Sequence, residues 1–493
     1  MAQIPTSENN LTQVLVHTPV HSQMAGALSY WSETVLAPGT LVRVPLGQRE
    51  LLGVVWPTES ASDAVFDPAK LRPIAATLDA LPPLSDHWRA LISFTASYYQ
   101  RSAGEVALAA LPPQLRDMSS IQLARRLKKL AKVAKTSAEP TPGADLAASA
   151  VVLTQEQQQA IRRFHEEPGP FLLFGATGSG KTEVFMHCTA SVLDSSPAAQ
   201  VLVMVPEINL TPQLEARFKA RFCALYGADA VVSMHSGMTP AQRLNSWLAA
   251  HSGAARVVLG TRMAVFASMP RLQLIVVDEE HDPSYKSGEG ARYSARDLAI
   301  YRGRLEGAKV MLGSATPSLE SWHHSRPATA DDPGGRYLRL AMPGRIGDGG
   351  FARVRRVDMS HQPMKTVFSP PLLDAIRARI ARGEQAMVFL NRRGYAPVLH
   401  CADCGWKSEC PHCSAFRVFH KIDRTLRCHH CGLTERVPRA CPECGNADIA
   451  PIGRGTEQLE EHLAELLAGV RRPDGQPVRI VRIDADTTRL KGT

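Results

Sequence analysis

Eight of the ten cysteines in this 493-residue chain fall between residues 401 and 444 as four CxxC pairs: Cys401/Cys404, Cys410/Cys413, Cys428/Cys431 and Cys441/Cys444. Tetrahedral zinc takes four thiolates and a CxxC turn supplies two, so four such knuckles can build two all-thiolate sites. Spacing leaves open which knuckles pair. Gly405, Gly432 and Gly445 follow three of the knuckles, which suits a left-handed turn that aims backbone N–H groups at sulfur. With four thiolates per metal, His412, His429 and His430 are expected to be bystanders, and the distant Cys188 and Cys223 to be core residues.

A second chemistry lies upstream. Gly175, Ala176, Thr177, Gly178, Ser179, Gly180, Lys181 and Thr182 spell GATGSGKT, which fits the phosphate-binding pattern GxxxxGK[ST]. FLLF (171 to 174) precedes it as a strand and TEVFMHCTASVL follows as a helix, so loop N–H groups and a helix N-terminus can converge on ATP or another nucleoside triphosphate. Lys181 is expected to reach the β- and γ-phosphates and Thr182 to hold Mg²⁺. The strand LIVV (274 to 277) then delivers an acidic cluster. Asp278 suits the magnesium shell, Glu279 suits the base that orients the attacking water, and Glu280 and His281 are placed to sense the γ-phosphate.

The elements that must position these residues read as follows. Residues 11 to 56 alternate short apolar runs with Pro and Gly turns, a β-rich pattern, and residues 85 to 101 have helical spacing. Residues 121 to 135 predict a basic helix, able to touch phosphates or simply to be solvated, ahead of a Pro/Ser/Gly/Ala linker. From 151 to about 330, FLLF, VLVMV, VVLG, LIVV and VMLG alternate with helical stretches, the pattern of a mostly parallel α/β sheet. A second α/β unit is expected from about 368, with a helix PPLLDAIRARIARG, a strand QAMVFLNRR, the cysteine block, then GRGTEQLEEHLAELL and VRIVRIDADTT.

The net charge of +9 makes a polyanionic partner plausible. No apolar run approaches the ~18 residues that span a bilayer, and the start MAQIPTSENN has no signal-peptide character. Residence in a reducing cytoplasm, with thiolates free for metal and no membrane partner, is the expectation.

The motif series LTQEQ (153 to 157), GATGSGKT, VPEINLTPQ (205 to 213), GTRMAVFASMP (260 to 270), DEEHDPSYKSGEGARYSARD (278 to 297) and GSATPS (313 to 318) resembles the DNA helicases of the second superfamily. NRRGYAP (391 to 397), the cysteine block and GRGTEQLE (453 to 460) narrow the resemblance to the PriA family of primosomal replication-restart helicases. It implies two RecA-like α/β lobes, the second split by a two-zinc module and incomplete, behind a β-rich N-terminal DNA-binding domain. The implied layout is a 3′-end DNA-binding domain at 1–116, a basic helix and linker at 117–150 in place of a winged helix, lobe 1 at 151–330, the start of lobe 2 at 331–400, the zinc module at 401–446 and further lobe 2 at 447–493.

The same resemblance implies residue roles. Gln157 would read adenine, Thr261 and Arg262 would contact the DNA backbone, and Tyr285, Lys286, Arg292 and Tyr293 would form an aromatic-rich loop coupling single-stranded DNA to hydrolysis. Ser314 and Thr316 would couple hydrolysis to lobe movement. The zinc pairing is implied to be nested, with Cys401, Cys404, Cys441 and Cys444 on one ion and Cys410, Cys413, Cys428 and Cys431 on the other. Tyr30 and Gly39 map to the 3′-end pocket, although Leu28-Ser29-Tyr30 stands where the family has Phe-Asp-Tyr, so the carboxylate is missing.

The chain ends at Thr493, ahead of the family's later lobe 2 motifs and the arginine finger. The function that the resemblance implies is an ATP-dependent 3′-to-5′ DNA helicase of replication restart. It would use ATP, Mg²⁺ and two Zn²⁺ and act on forked and single-stranded DNA beside single-stranded DNA-binding protein and other primosome proteins. The competing expectation is a non-motor platform that binds ATP and fork DNA without translocating. A translocase on RNA ranks last because it leaves the CxxC pairs unexplained.

Overall fold

The computed structural model describes residues 11–18, 26–57, 71–136, 152–206, 212–347, 352–359, 367–389, 398–413, 415–420, 423–452 and 456–483. The chain divides into two compact units, residues 1–351 and 352–493.

The first unit opens with an antiparallel sheet of β1 (Leu11–Val16), β2 (Leu28–Trp31), β3 (Leu41–Leu46), β4 (Arg49–Trp56) and β5 (Ala76–Thr77), in the order β2-β1-β4-β3-β5. Helices α1 (Asp86–Tyr98), α2 (Ala103–Ala110) and α3 (Ser120–Thr136) follow. Ser85 and Ser102 cap the first two by accepting from Trp88 N and Glu105 N. Gly39 (φ +94°) lies so close to Leu84 that a Cβ would stand 2.2 Å from the Leu84 carbonyl oxygen, so only glycine fits there.

Lobe 1 alternates α4 (Gln155–Glu166), β6 (Phe171–Gly175), α5 (Lys181–Ser195), β7 (Gln200–Met204), α6 (Pro212–Tyr226), β8 (Val231–Met234), α7 (Pro240–Ser252), β9 (Val257–Gly260), β10 (Leu272–Val277), α8 (Ala295–Glu306), β11 (Lys309–Ser314), α9 (Leu319–His324) and β12 (Leu338–Met342). The strands form one seven-stranded sheet, β12-β6-β11-β10-β7-β9-β8, and every pairing is parallel. The sheet takes in β12, a strand beyond residue 330 that sequence periodicity does not single out.

Alternate residues of each central strand enter different cores, as the two-residue period requires. Leu172, Leu202, Val258, Ile275 and Leu312 join one cluster, while Phe171, Leu173, Val201, Val203, Leu259, Val276 and Met311 join the other. The first cluster continues without a break into Trp88, Leu91 and Ile92 of α1. The N-terminal sheet and lobe 1 therefore share a core. Three polar contacts reinforce it: Trp88 Nε1 donates to Phe266 O at 2.8 Å, Ser294 N donates to the Tyr99 hydroxyl at 3.0 Å, and His251 Nε2 lies 2.9 Å from Pro82 O.

The second unit holds α10 (Pro370–Ala381) and α11 (Thr456–Leu466). Ile376, Ile380 and Leu467 form its small apolar cluster, with Leu463, Val470, Val478 and Ile480 packed against it. Between the helices lie two small sheets, β13 (Val398–Cys401) with β17 (Ile449–Ile452), and β14 (Val418–His420), β15 (Thr425–Arg427) and β16 (Thr434–Arg436).

The strand expected at QAMVFLNRR is not formed over its described part, 385–389, where Met387 and Phe389 are 92% and 83% exposed. VRIVRI (478 to 483) likewise forms no strand, with Ile483 81% exposed. A parallel strand is held by neighbours on its flanks, and among the described residues neither segment has one. NRRGYAP, most of VPEINLTPQ and the start of GRGTEQLE lie outside the described residues.

Because Trp88 fills the junction of the N-terminal sheet and lobe 1, Trp88→Ala should cost about 3–5 kcal/mol. It should lower the first thermal unfolding transition markedly, while Trp88→Phe, which loses mainly the bond to Phe266 O, should lower it less. Differential scanning calorimetry checks both.

Candidate nucleotide, nucleic-acid and metal sites

The phosphate loop, GTR, the acidic cluster and GSAT of lobe 1 stand at the C-terminal ends of its strands, where a parallel sheet leaves backbone and side chains accessible. Gly175 closes β6, Gly260 closes β9, Asp278 follows β10 and Ser314 closes β11. Gly178 and Gly180 adopt φ +85° and +78°. A Cβ at Gly180 would also collide with Gln157 Nε2 at 2.4 Å and Ile346 Cδ1 at 2.6 Å, so both glycines are fixed by the loop's shape.

Lys181, the first residue of α5, donates to Gly175 O at 3.0 Å and lies 3.9 Å from Glu279 Oε1. Ser179 Oγ is buried in the centre of the loop with no hydrogen-bond partner. An orphaned hydroxyl there fits an anion or phosphate ligand, since unpaired buried polar atoms are costly. Thr182 sits one residue into the helix, partly buried.

Burial, and then the adjacent Glu279 charge, push the Asp278 carboxyl up to about 6. A nearby cation would hold such a group ionised, so Asp278 fits a magnesium shell. Glu279 has φ +44° and a side chain 39% exposed, within reach of Lys181 and of His281 at 3.6 Å. His281 Nδ1 is 2.8 Å from Ser314 Oγ and its Nε2 is 3.4 Å from Thr316 Oγ1. The acidic cluster and GSAT are therefore directly joined.

Four sequence expectations need correction. Glu280 does not face the loop. Its fully buried carboxylate accepts from Ser318 N at 2.7 Å, Ser318 Oγ at 3.0 Å, Ser321 Oγ at 2.9 Å and Arg296 Nη1 at 3.3 Å. That capacity is used up in tying the acidic motif to α9. Gln157 is fully buried, and its amide closes a capping box with Thr154 and donates to Ser179 O at 3.2 Å, so it holds the phosphate loop instead of presenting a free amide to a base.

Tyr285 is 2% exposed, which removes it as a stacking surface, and its hydroxyl donates to Asp278 O at 2.7 Å. Tyr30 is 4% exposed with its hydroxyl on Pro45 O, so its ring belongs to the N-terminal core. Gly39 shapes that same sheet's packing, and Ser29 accepts from Gln13.

The remaining nucleic-acid candidates cluster. Arg262 Nη1 donates to Ser284 O and Lys286 O, both at 3.0 Å, so it supports the 285–293 loop from below. Thr261 is 2% exposed beside it. Exposed Lys286 lies over the Tyr99 ring at 5.2 Å, Arg292 is exposed with φ +48°, and Tyr293 meets Phe266 edge-on at 4.9 Å. Sequence reasoning missed Tyr99, Ser318, Ser321 and Arg296. For Ser318 a signal was present, since a serine directly before LESWHH suits a helix N-cap.

In the second unit the eight thiols gather into two groups, Cys401, Cys404, Cys441 and Cys444, and Cys410, Cys413, Cys428 and Cys431, with ligand atoms of each group within 4.8 Å of one another. Cross-knuckle Sγ–Sγ distances of 3.4–3.6 Å approach the about 3.8 Å that tetrahedral Zn–S bonds of about 2.3 Å require. The nested pairing is the one formed. Gly405, Gly432 and Gly445 take φ +79°, +81° and +75°, and each N–H closes its knuckle on the carbonyl of the first cysteine. Within the outer group protons are held unevenly: the N–H groups of Cys404 and Asp403 help to draw Cys401 down to about 7 while Cys404 is pushed up to about 12, so binding of metal must displace protons. Cys188 is a buried core thiol pushed up to about 12 by desolvation, whereas Cys223 is only half-buried.

Comparison with known proteins places the same regions. The signature of the DEAD/DEAH box helicases matches residues 154–324, the PriA 3′ DNA-binding domain matches 13–112 and the PriA DNA helicase Cys-rich region matches 410–436. The replication restart protein PriA of Haemophilus influenzae is 34% identical over 92% of this chain and 67% of its own length. Those of Bacillus subtilis and Rickettsia typhi are 38% and 35% identical, over 69% and 86% of this chain and 40% and 60% of their own lengths. No helix among the described residues is long and apolar enough to cross a membrane.

Since Glu280 is structural, Glu280→Ala should leave the Ser318 N, Ser318 Oγ and Ser321 Oγ donors without their carboxylate, while Arg296 keeps Asp297, and cost about 3 kcal/mol or more. Glu279→Gln, at a partly exposed position, should leave the thermal midpoint nearly unchanged. Parallel melts of the two variants separate the neighbouring carboxylates.

Proposed function

We propose that this chain, which belongs to the PriA family of replication restart proteins, works as an ATP-dependent DNA helicase that moves 3′-to-5′ at stalled or recombination-derived forks and begins primosome assembly. The observation that carries the reading is the junction at the strand ends, where Lys181 lies 3.9 Å from Glu279 and His281 lies 2.8 Å from Ser314.

In this mechanism Lys181 exchanges its bond to Gly175 O for phosphate oxygens, and the loop N–H groups and Ser179 Oγ receive the remaining charge. Thr182 and Asp278 would hold magnesium, which would supply neutralisation of phosphate charge. Glu279 orients and deprotonates the attacking water. His281 senses the change at Glu279 and passes it to Ser314 and Thr316. On the DNA side, Lys286 and Arg292 meet the backbone of a single strand while Arg262 fixes the loop that carries them. Tyr285 links that loop to Asp278 by its hydroxyl, so strand binding and the acidic cluster move together. The N-terminal domain takes a DNA 3′ end with the hydroxyl of Ser29 where the family has a carboxylate.

Zinc at each thiol group would close the module and present its surface to duplex DNA and protein partners. Those partners include single-stranded DNA-binding protein and other primosome proteins, and the setting is the cytoplasm.

Two measurements test the proposal. ATP hydrolysis by the 493-residue chain should rise on adding forked DNA and be lost in Lys181→Ala. Fork binding with no turnover above that variant would instead favour a non-motor platform. Metal analysis should find about two zinc ions per chain. Cys410→Ser should release one and retain the other, because the two thiol groups share no ligand.

A further inference from the structure

Every carbonyl of the phosphate loop already has a donor. Gly175 O takes Lys181 Nζ at 3.0 Å, Ala176 O takes Ser179 N at 3.0 Å, and Gly180 O takes Glu183 N at 3.0 Å. Ser179 O takes Gln157 Nε2 at 3.2 Å. The other two donors each come from 168 residues away in sequence, in the segment that leaves β12. Arg345 Nε donates to Thr177 O at 2.9 Å, and Ile346 N donates to Gly178 O at 2.9 Å. The segment is anchored immediately before these contacts. Met342 O accepts from Ala176 N at 3.1 Å, and Gly344 N donates to Glu156 Oε2 at 3.1 Å. Neither Glu156 nor residues 344–346 belong to the phosphate-binding pattern.

A peptide unit is planar, so holding its C=O fixes the direction of the N–H that follows. Arg345, on Thr177 O, sets the Gly178 N–H, and Gln157, on Ser179 O, sets the Gly180 N–H. Both glycines have positive φ and no Cβ to restrain them, so without these donors their planes could turn. A loop whose N–H groups already point at the phosphate position gains affinity by avoiding that reorganisation.

We infer that Arg345 is a positioning residue for the triphosphate, acting through the Thr177 carbonyl, and that the segment 344–346 is part of the nucleotide site. The inference rests on the nucleotide reading of the loop. Because it acts on the loop and not on the γ-phosphate, Arg345 should matter equally for a triphosphate and a diphosphate.

Equilibrium titration of the full chain with fluorescent ATP and ADP analogues tests this, using Arg345→Ala with Lys181→Ala as reference. The expected result is that Arg345→Ala weakens both nucleotides by the same factor, about five- to tenfold, the usual weight of one such hydrogen bond. Loss of ATP affinity alone would overturn the positioning role and make Arg345 a γ-phosphate contact. No loss with either nucleotide, while Lys181→Ala weakens both, would overturn the inference and leave the nucleotide reading intact. No effect of Lys181→Ala would bring down the nucleotide reading and the inference with it. Should Arg345→Ala fail to fold, Arg345→Lys, which keeps the aliphatic stem and loses the Nε donor, carries the same comparison.

Discussion

A parallel sheet with both faces buried can do chemistry only at its strand ends, and that constraint organises the first unit. Leu172 and Leu173, or Val276 and Val277, go to opposite cores, which leaves no side chain of the strand interiors for function. Gly175, Gly260, Asp278 and Ser314 are where the strands run out. The adjacency of β6, β11, β10, β7 and β9 in the sheet, not their order in sequence, brings the phosphate loop, GSAT, the acidic cluster and GTR side by side. Relocating any one strand would dismantle the site without altering a single motif.

Within that frame the acidic motif divides its labour between neighbouring residues. Asp278 and Glu279 remain open to ligand, and Glu280 is spent on Ser318, Ser321 and Arg296. The division follows from backbone geometry. Glu279 takes a left-handed conformation at φ +44°, which turns the chain so that consecutive carboxylates leave in different directions. A buried carboxylate needs several donors to offset its lost hydration, and the N-cap serine Ser318 and Ser321 of α9, with Arg296 of α8, supply them. The last acid thus anchors the helix that follows GSAT, and the two before it stay available.

The local patterns were the legible part of the sequence. GATGSGKT between FLLF and its helix, the strands from 171 to 313, the β-rich start and the basic helix can be read from spacing, because short-range periodicity determines them. Burial cannot be read that way. Tyr285 looks like an exposed aromatic in a binding loop and Tyr30 like part of a 3′-end pocket, yet tertiary packing encloses both. Gln157 resembles a base-reading amide, but the loop lies against it. β12 follows a DDPGGRY stretch that reads as loop, and only its pairing with β6 makes it a strand. QAMVFLNRR shows the converse, a strand-like pattern with no described neighbour to pair with. The contact of Arg345 with Thr177 spans 168 residues and no motif announces it.

The cysteine module obeys a different constraint from the sheet, because its core is too small to hold itself closed. Cys401 and Cys444 are 43 residues apart in sequence, and the backbone joining the two ends of the module is the four-residue pairing of β13 with β17. So short a ribbon is marginal in water. The inner group closes a shorter loop inside the three-stranded β14-β15-β16 sheet, so nested pairing lets each metal staple a layer of its own. The knuckle N–H bonds at Gly405, Gly432 and Gly445 preset the turns but link no knuckle to its partner. Thiolate–metal bonds are what can join Cys404 to Cys441 and Cys413 to Cys428, so closure of the module is tied to deprotonated cysteine and bound metal.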